Sequence, residues 1–444
     1  MLRRWDGKFL LLMPPLFRLL LVLLLALPAA PASAYSVLTH QAVIDSTWQR
    51  CLLPLLRQRY PGADSTELSE AKSYAYGGAI IQDMGYYPLG AEFFTNLTHY
   101  VRAGDFVRNL LRQARTREEY AFALGALSHY AADNVGHPEG TNQIMPTVYA
   151  DLRAEYGPIV TYENAPIRHT ELEFSFDVVQ VAAGRYRTQD YHKAVGFRVS
   201  KPVLERAFQQ TYGLELGQVF LNVDVSVASF RFAVNQLLPA AARAAWHSQH
   251  KEIRQVSPRA RRREYLYKTN RRRFEREFGT DYEKPGFGAR VMAKIINLLP
   301  KIGPLKTYAF ELPSAEGERQ FRRSYRTVLA QFCTLTAQLP PDTASLSPHL
   351  LNTNLDTGQP TRATAYQLAD ESYGELLREL HKRKFEHLTP SLREELLTYF
   401  ANGVPTPAQQ TDRKAPDDDD DQREDEKERQ KTAEALEALR KRVP

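Results

Sequence analysis

The sequence predicts an all-α fold, and three observations predict it. Apolar residues recur at spacings of three and four through long stretches such as 118–132 and 201–212, the mark of helices with one buried face. Runs that alternate apolar with polar residues, as half-buried strands require, are few between residues 35 and 250. Glycine and proline stand where helices should stop or start: Gly85 and Pro88 after Asp83, Gly136 and Pro138 after Asp133, and Pro166 as the first residue of a further helix.

Taken in chain order, residues 1–34 have the three parts of a secretory signal peptide. Arg3, Arg4 and Lys8 are its basic start, Leu19–Leu27 its apolar run, and Ala32-Ser33-Ala34 its small-residue cleavage site. The mature chain is therefore expected to begin at Tyr35 and to be exported, to a periplasm or to the extracellular space. The apolar run is well short of the roughly 20 residues a membrane-spanning helix needs, and Pro14, Pro15 and Arg18 interrupt the stretch before it. With 444 residues, 43% hydrophobic and 25% charged, the chain can bury a substantial core. Only Cys51 and Cys333 are present, which excludes a disulfide framework and leaves open whether the two pair.

Residues 35–250 read as one helical domain and residues 251–402 as a helical extension, basic at its start. Residues 251–280 hold eleven Lys or Arg against four Glu, with Tyr265, Tyr267, Phe274 and Phe278 interspersed. Such a stretch suits an anionic surface, membrane or nucleic acid, and equally a solvated helix face. Residues 281–400 look helical and carry no motif. Residues 403–444 read as a disordered, charged tail: Pro405, Pro407 and Pro416 precede the run Asp417–Asp421, and a Lys/Glu-rich solvated helix closes the chain. The Asp run lacks the glycine and ligand spacing of a calcium loop.

The chemistry concentrates between Tyr35 and Glu173, where five of the eleven histidines lie. His129 and Asp133 are four residues apart, so a helix presents both on one face, as two ligands of one metal must be. His169 and Glu173 repeat that spacing. His137 follows Asp133 by four, where Gly136 and Pro138 are expected to end the helix and turn the imidazole back. One such pair is usually a surface contact. Here Ala126, Leu127, Ala131 and Ala132 surround the first pair, so it should be buried, and buried polar groups need partners or a metal. Mixed imidazole and carboxylate donors with no cysteine nearby suit zinc.

These residues resemble the zinc-dependent phospholipases C, whose all-helical fold is shared with the single-strand-specific zinc nucleases. The resemblance covers roughly residues 35–250 and implies a multi-helix domain holding three zinc ions in a cleft. It implies that Tyr35 binds through its own amine and carbonyl, that Thr39-His40 matches the family's early Thr-His pair, and that Asp83 and His99 follow as ligands. His129 and Asp133 match the central pair whose carboxylate bridges two zincs, and His137, His169 and Glu173 the ligands of the remaining ion. Asp83 is also the candidate catalytic residue. Two departures stand out: Tyr35 replaces the usual Trp, which changes packing but not the backbone ligands, and the interval from Asp133 to His137 is shorter than in the better-known bacterial members.

The implied function is hydrolysis of a phospholipid to diacylglycerol and a phosphorylated head group, at a membrane surface and with no protein partner. A single-strand-specific nuclease or nucleotidase is the alternative within the same chemistry, with 251–280 meeting the backbone and bases. Glu173 favours the lipase, because the nuclease relatives usually end their ligand set with His and Asp. The alternative of another class is a non-catalytic, zinc-stabilised binding protein.

Overall fold

The structure, a computed structural model, describes residues 36–182, 186, 197–234, 251, 253–254, 311–340, 350–406 and 419–442. In chain order the α-helices are α1 (Val37–Thr47), α2 (Leu53–Arg59), α3 (Ser65–Gly78), α4 (Glu92–Tyr100), α5 (Ala103–Gln113), α6 (Arg117–Gly136), α7 (Asn142–Val148), α8 (Ala150–Tyr156), α9 (Pro166–Ala182), α10 (Lys201–Tyr212), α11 (Leu216–Val219), α12 (Val223–Phe232), α13 (Ala315–Ala337), α14 (Gln367–Lys382), α15 (Pro390–Tyr399) and α16 (Asp419–Lys441). The fold is all-α: no strand occurs among the described residues, and one isolated antiparallel bridge pairs Thr353 with Pro360. No helix among them is long and apolar enough to cross a membrane.

The centre of the molecule is α6, whose apolar residues on every side bury it almost completely. Thr116 caps it by accepting from Glu119 N at 3.2 Å, a contact worth about 1 kcal/mol. Helix α3 begins on a capping box between Asp64 and Glu67 and packs along α6. Two glycines permit that approach: a Cβ on Gly78 would stand 1.9 Å from Phe122 O, and one on Gly125 would stand 2.1 Å from Ala75 O. The backbones can therefore meet closely enough for Ala79 O, just past α3, to reach a side chain of α6.

Two expectations change. Gly136 does not end the helical path. The chain continues through a wider, π-helical turn, His137–Thr141, in which Asn142 N donates to His137 O, and then enters α7. Such turns shift the facing of following residues and are frequent at functional sites. The charged tail is not wholly solvated, because in α16 Ala435, Leu436 and Leu439 are buried and the helix packs on α14. Asp417, Asp418 and the linker before them lie outside the described residues, as do residues 1–35 and nearly all of 251–310.

The cysteines pair. Cys51 and Cys333 are 282 residues apart in sequence with Cα atoms 5.4 Å apart, which ties α13 to the turn that follows α1. Closing so long a loop restricts the unfolded chain strongly, so Cys333→Ser is expected to lower stability by about 3–5 kcal/mol. Denaturant midpoints that match with and without reductant would contradict the pairing.

Candidate metal centre

Asp133 is the hub of the site because α6 carries it, fully buried, into the space between four histidines. Its Oδ2 lies 3.0 Å from His129 Nε2, 3.4 Å from His99 Nε2 and 3.9 Å from His137 Nε2, and its Oδ1 lies 3.5 Å from His40 Nε2. The helical spacing of four delivers the first contact directly. His40 arrives from α1 and stacks on His129, ring centroids 4.3 Å apart. Asp83 comes from the 3-10 turn Ile81–Tyr86, its Oδ1 3.3 Å from His99 Nε2 and 3.7 Å from His129 Nε2.

Each ring is oriented from behind. His129 Nδ1 faces Ala79 O at 3.0 Å, and His99 Nδ1 faces Thr95 O at 2.8 Å. A carbonyl only accepts, so both rings donate from Nδ1 and turn Nε2 inward, the atom left to bind a metal. The two Nε2 atoms stand 3.2 Å apart, a distance natural for two ligands aimed at one ion. His169, one turn before Glu173 on α9, faces Asn142 Oδ1 with Nε2 at 2.8 Å and Glu173 Oε1 with Nδ1 at 2.8 Å. His137, opening the π turn, faces Asp356 Oδ1 with Nδ1 at 2.6 Å.

The residues fit zinc by their unsatisfied atoms. Asp83 Oδ1, both Asp133 oxygens, His137 Nε2, His169 Nδ1 and both Glu173 oxygens are buried and make no hydrogen bond among the described residues. Buried polar atoms are rarely left so, and here they belong to side chains that pair within the cluster: Asp83 with His99 and His129, Asp133 with His137, and His169 with Glu173. Three groups have ligand atoms close enough to share an ion: His40, His129 and Asp133; Asp83, His99 and His129; His137, His169 and Asp356. Imidazole nitrogen and carboxylate oxygen are the donors zinc prefers when cysteine is absent.

The electrostatics match a site built for cations. Burial alone would lower the pKa of His99, but Asp133 and Asp83 raise it to about 10. Burial, with the His129 charge, lowers His40 to about 4, and burial lowers His169 to about 3. Burial and the carboxylates of Asp133, Asp356 and Asp83 push Glu173 well above its ordinary range. The metal-free centre therefore holds a proton on His99, where a metal needs a lone pair, and favours one on Glu173. Zinc must displace them, so its affinity should rise with pH and binding should release protons. Calorimetry of zinc binding at pH 7 in buffers of different ionisation enthalpy checks this, and a binding heat independent of buffer would refute it.

Of the residues the sequence singles out, the structure gathers His40, Asp83, His99, His129, Asp133, His137, His169 and Glu173. Tyr35 lies outside the described residues, but its neighbour Ser36 is buried, and Asp177 holds the start of α1 by accepting from Leu38 N at 3.0 Å and Thr39 Oγ1 at 2.6 Å. Asp356 is the participant that sequence reasoning missed. Its surroundings, Asn354-Leu-Asp-Thr-Gly358, show a polar turn and nothing that connects it to histidines some two hundred residues earlier.

Residues 39–222 match the family model described as zinc-dependent phospholipase C. The matched stretch holds all eight gathered residues and stops well before Asp356. No curated protein and no solved structure matches the chain.

Proposed function

From the match of residues 39–222 to the family model described as zinc-dependent phospholipase C, we propose that the protein hydrolyses phospholipid to diacylglycerol and a phosphorylated head group. The observation that carries the proposal is the convergence of four buried imidazoles, His40, His99, His129 and His137, on buried Asp133, with Asp83 against His99 and His129 and Glu173 against His169, many of these atoms making no hydrogen bond among the described residues. Zinc bound there supplies positive charge for the phosphate oxygens and lowers the pKa of water toward neutrality.

The chain's own residues supply position. Burial would raise the pKa of Asp83, but His129 and His99 outweigh it and hold the carboxylate below its ordinary range. A carboxylate bound to zinc has its proton affinity lowered by the metal as well, and is a poor proton acceptor. Asp83 therefore orients the attacking water by accepting its hydrogen bond, and does not abstract the proton. The tautomers fixed by Ala79 O and Thr95 O keep His129 and His99 facing inward, so little reorganisation precedes the reaction.

The proposal places the reaction at a membrane surface after export. The Cys51–Cys333 pair supports export, because such bonds persist in oxidising compartments. The basic stretch 251–280, on which a nucleic-acid reading would lean, lies outside the described residues apart from 251, 253 and 254. The test offers the mature protein phosphatidylcholine vesicles and single-stranded DNA in parallel, with and without a chelator. Phosphocholine release that the chelator abolishes is the expected result. Cleavage of DNA alone would overturn the lipid assignment, and bound zinc with neither activity would favour a binding protein.

A further inference from the structure

One carboxylate reaches the centre from beyond the family-matched stretch. Asp356 lies in the loop between α13 and α14, 219 residues after His137, and is 2% exposed. Its oxygens are saturated by protein donors. Oδ1 accepts from His137 Nδ1 at 2.6 Å and from Asn142 Nδ2 at 3.1 Å, and Oδ2 accepts from Tyr162 N at 2.8 Å and from Tyr366 Oη at 2.7 Å. A carboxylate offers about four lone-pair positions, and four donors occupy them. The atoms near the third group that make no hydrogen bond among the described residues are His137 Nε2, His169 Nδ1 and the two Glu173 oxygens. Asp356 is close enough to share an ion with His137 and His169, but its hydrogen bonds place it behind the first ring.

Asn142 extends the same control to the second ring. Its Nδ2 donates to Asp356 O at 2.8 Å as well as to Oδ1, and both acceptors fix the amide's orientation, leaving Oδ1 for His169 Nε2 at 2.8 Å. One carboxylate and one amide thereby set which nitrogen of each imidazole keeps its lone pair.

We propose that Asp356 is the positioning residue of the third metal position, whose ligands are His137, His169 and Glu173, and that the loop carrying it is an integral part of the metal centre. The loop is anchored for this role. Leu355 N donates to His99 O at 3.0 Å, Tyr130 Oη to Leu351 O at 2.9 Å, Thr353 Oγ1 to Asn134 Oδ1 at 2.6 Å, and Asp105 N to Asn352 Oδ1 at 3.0 Å. Within the loop, Asn354 Oδ1 accepts from Asp356 N at 2.9 Å and from Thr357 N at 3.1 Å, which fixes the turn that aims the carboxylate. The chain after residue 350 thus grips α4, α5 and α6 and supplies the polar backing that the matched domain lacks. The inference rests on the metal-centre reading, not on the choice of lipid as substrate.

The test counts zinc in the full mature chain carrying Asp356→Asn or Asp356→Ala, dialysed against graded zinc–chelator buffers, with circular dichroism to check folding. Asparagine keeps the shape, but in either orientation it turns an NH2 toward donors that Asp356 satisfies. Both variants are expected to keep the zinc bound around Asp133 and to hold the remaining ion about 10–100-fold more weakly, the usual cost of losing such an orienting partner. Glu173→Gln, which removes a ligand, calibrates that loss. X-ray absorption of zinc-saturated Asp356→Asn should show the wild-type number of nitrogen and oxygen neighbours, the signature of an orienting group. Should alanine prevent folding, the asparagine variant decides alone. Wild-type zinc affinity in a folded variant, or loss of an oxygen neighbour from the metal, would overturn the proposal. Neither readout depends on lipid hydrolysis, so a wrong substrate assignment would leave this result standing.

Discussion

Replacing Asp133 is expected to empty the centre of zinc and to lower phosphodiester hydrolysis by at least about 1,000-fold, a barrier increase of about 4 kcal/mol. The reason lies in its neighbours. Rings from α1, α4, α6 and the π turn face its two oxygens within 3.9 Å. Burial opposes its charge, yet His129 and His99 hold its pKa well below the ordinary carboxylate range, so the carboxylate remains an anion. Asp133→Ala removes the one charge shared by these rings and should also cost about 3–5 kcal/mol of stability in the metal-free protein, where His99 would be left buried with less compensation. Asp133→Asn keeps the volume and removes only the charge. It should fold and still bind less zinc, which separates the electrostatic role from packing. Full zinc content and full activity in folded Asp133→Asn would refute the role given to this residue.

The second large effect is expected at the N-terminus. On the proposal that export removes residues 1–34, Tyr35 becomes the first residue and contributes its amine as a ligand beside His40. The start of α1 suits that role, because Asp177 holds Leu38 N and Thr39 Oγ1 and thereby fixes the first turn of the helix that carries His40. A protein with even one extra residue before Tyr35 should lose one zinc and most of its activity while keeping its fold, since a peptide nitrogen has no lone pair to offer a metal. Metal analysis and head-group release, compared between that protein and one beginning at Tyr35, measure the effect. Equal zinc and equal activity in the extended form would show that the amine takes no part.

How much of this was readable from sequence depended on the range of the interaction. His129 with Asp133 and His169 with Glu173 were legible because helical periodicity converts a spacing of four into a shared face, and the alanines around His129 announced its burial. Pro166 marked the start of α9 for an equally local reason. The continuation past Gly136 was not legible, since Gly and Pro together usually stop a helix, whereas Pro138 here sits in the first turn of the π segment, where its missing N–H costs little. Asp356 was beyond reach because loop contacts have no period and its partners are distant in the chain. The same holds for Cys51 and Cys333, whose pairing depends on how α13 packs beside α1. In α16 the buried Ala435, Leu436 and Leu439 form a narrow stripe that the surrounding charge conceals.

The most direct test of the account is a zinc titration of the metal-free mature protein, followed simultaneously by bound zinc and by head-group release from phosphatidylcholine vesicles. The expected result is no release from the metal-free protein and activity that grows as the buried groups around Asp133 fill, reaching its plateau at three ions. Release by the metal-free protein, or a fully loaded protein that releases no head group, would contradict it.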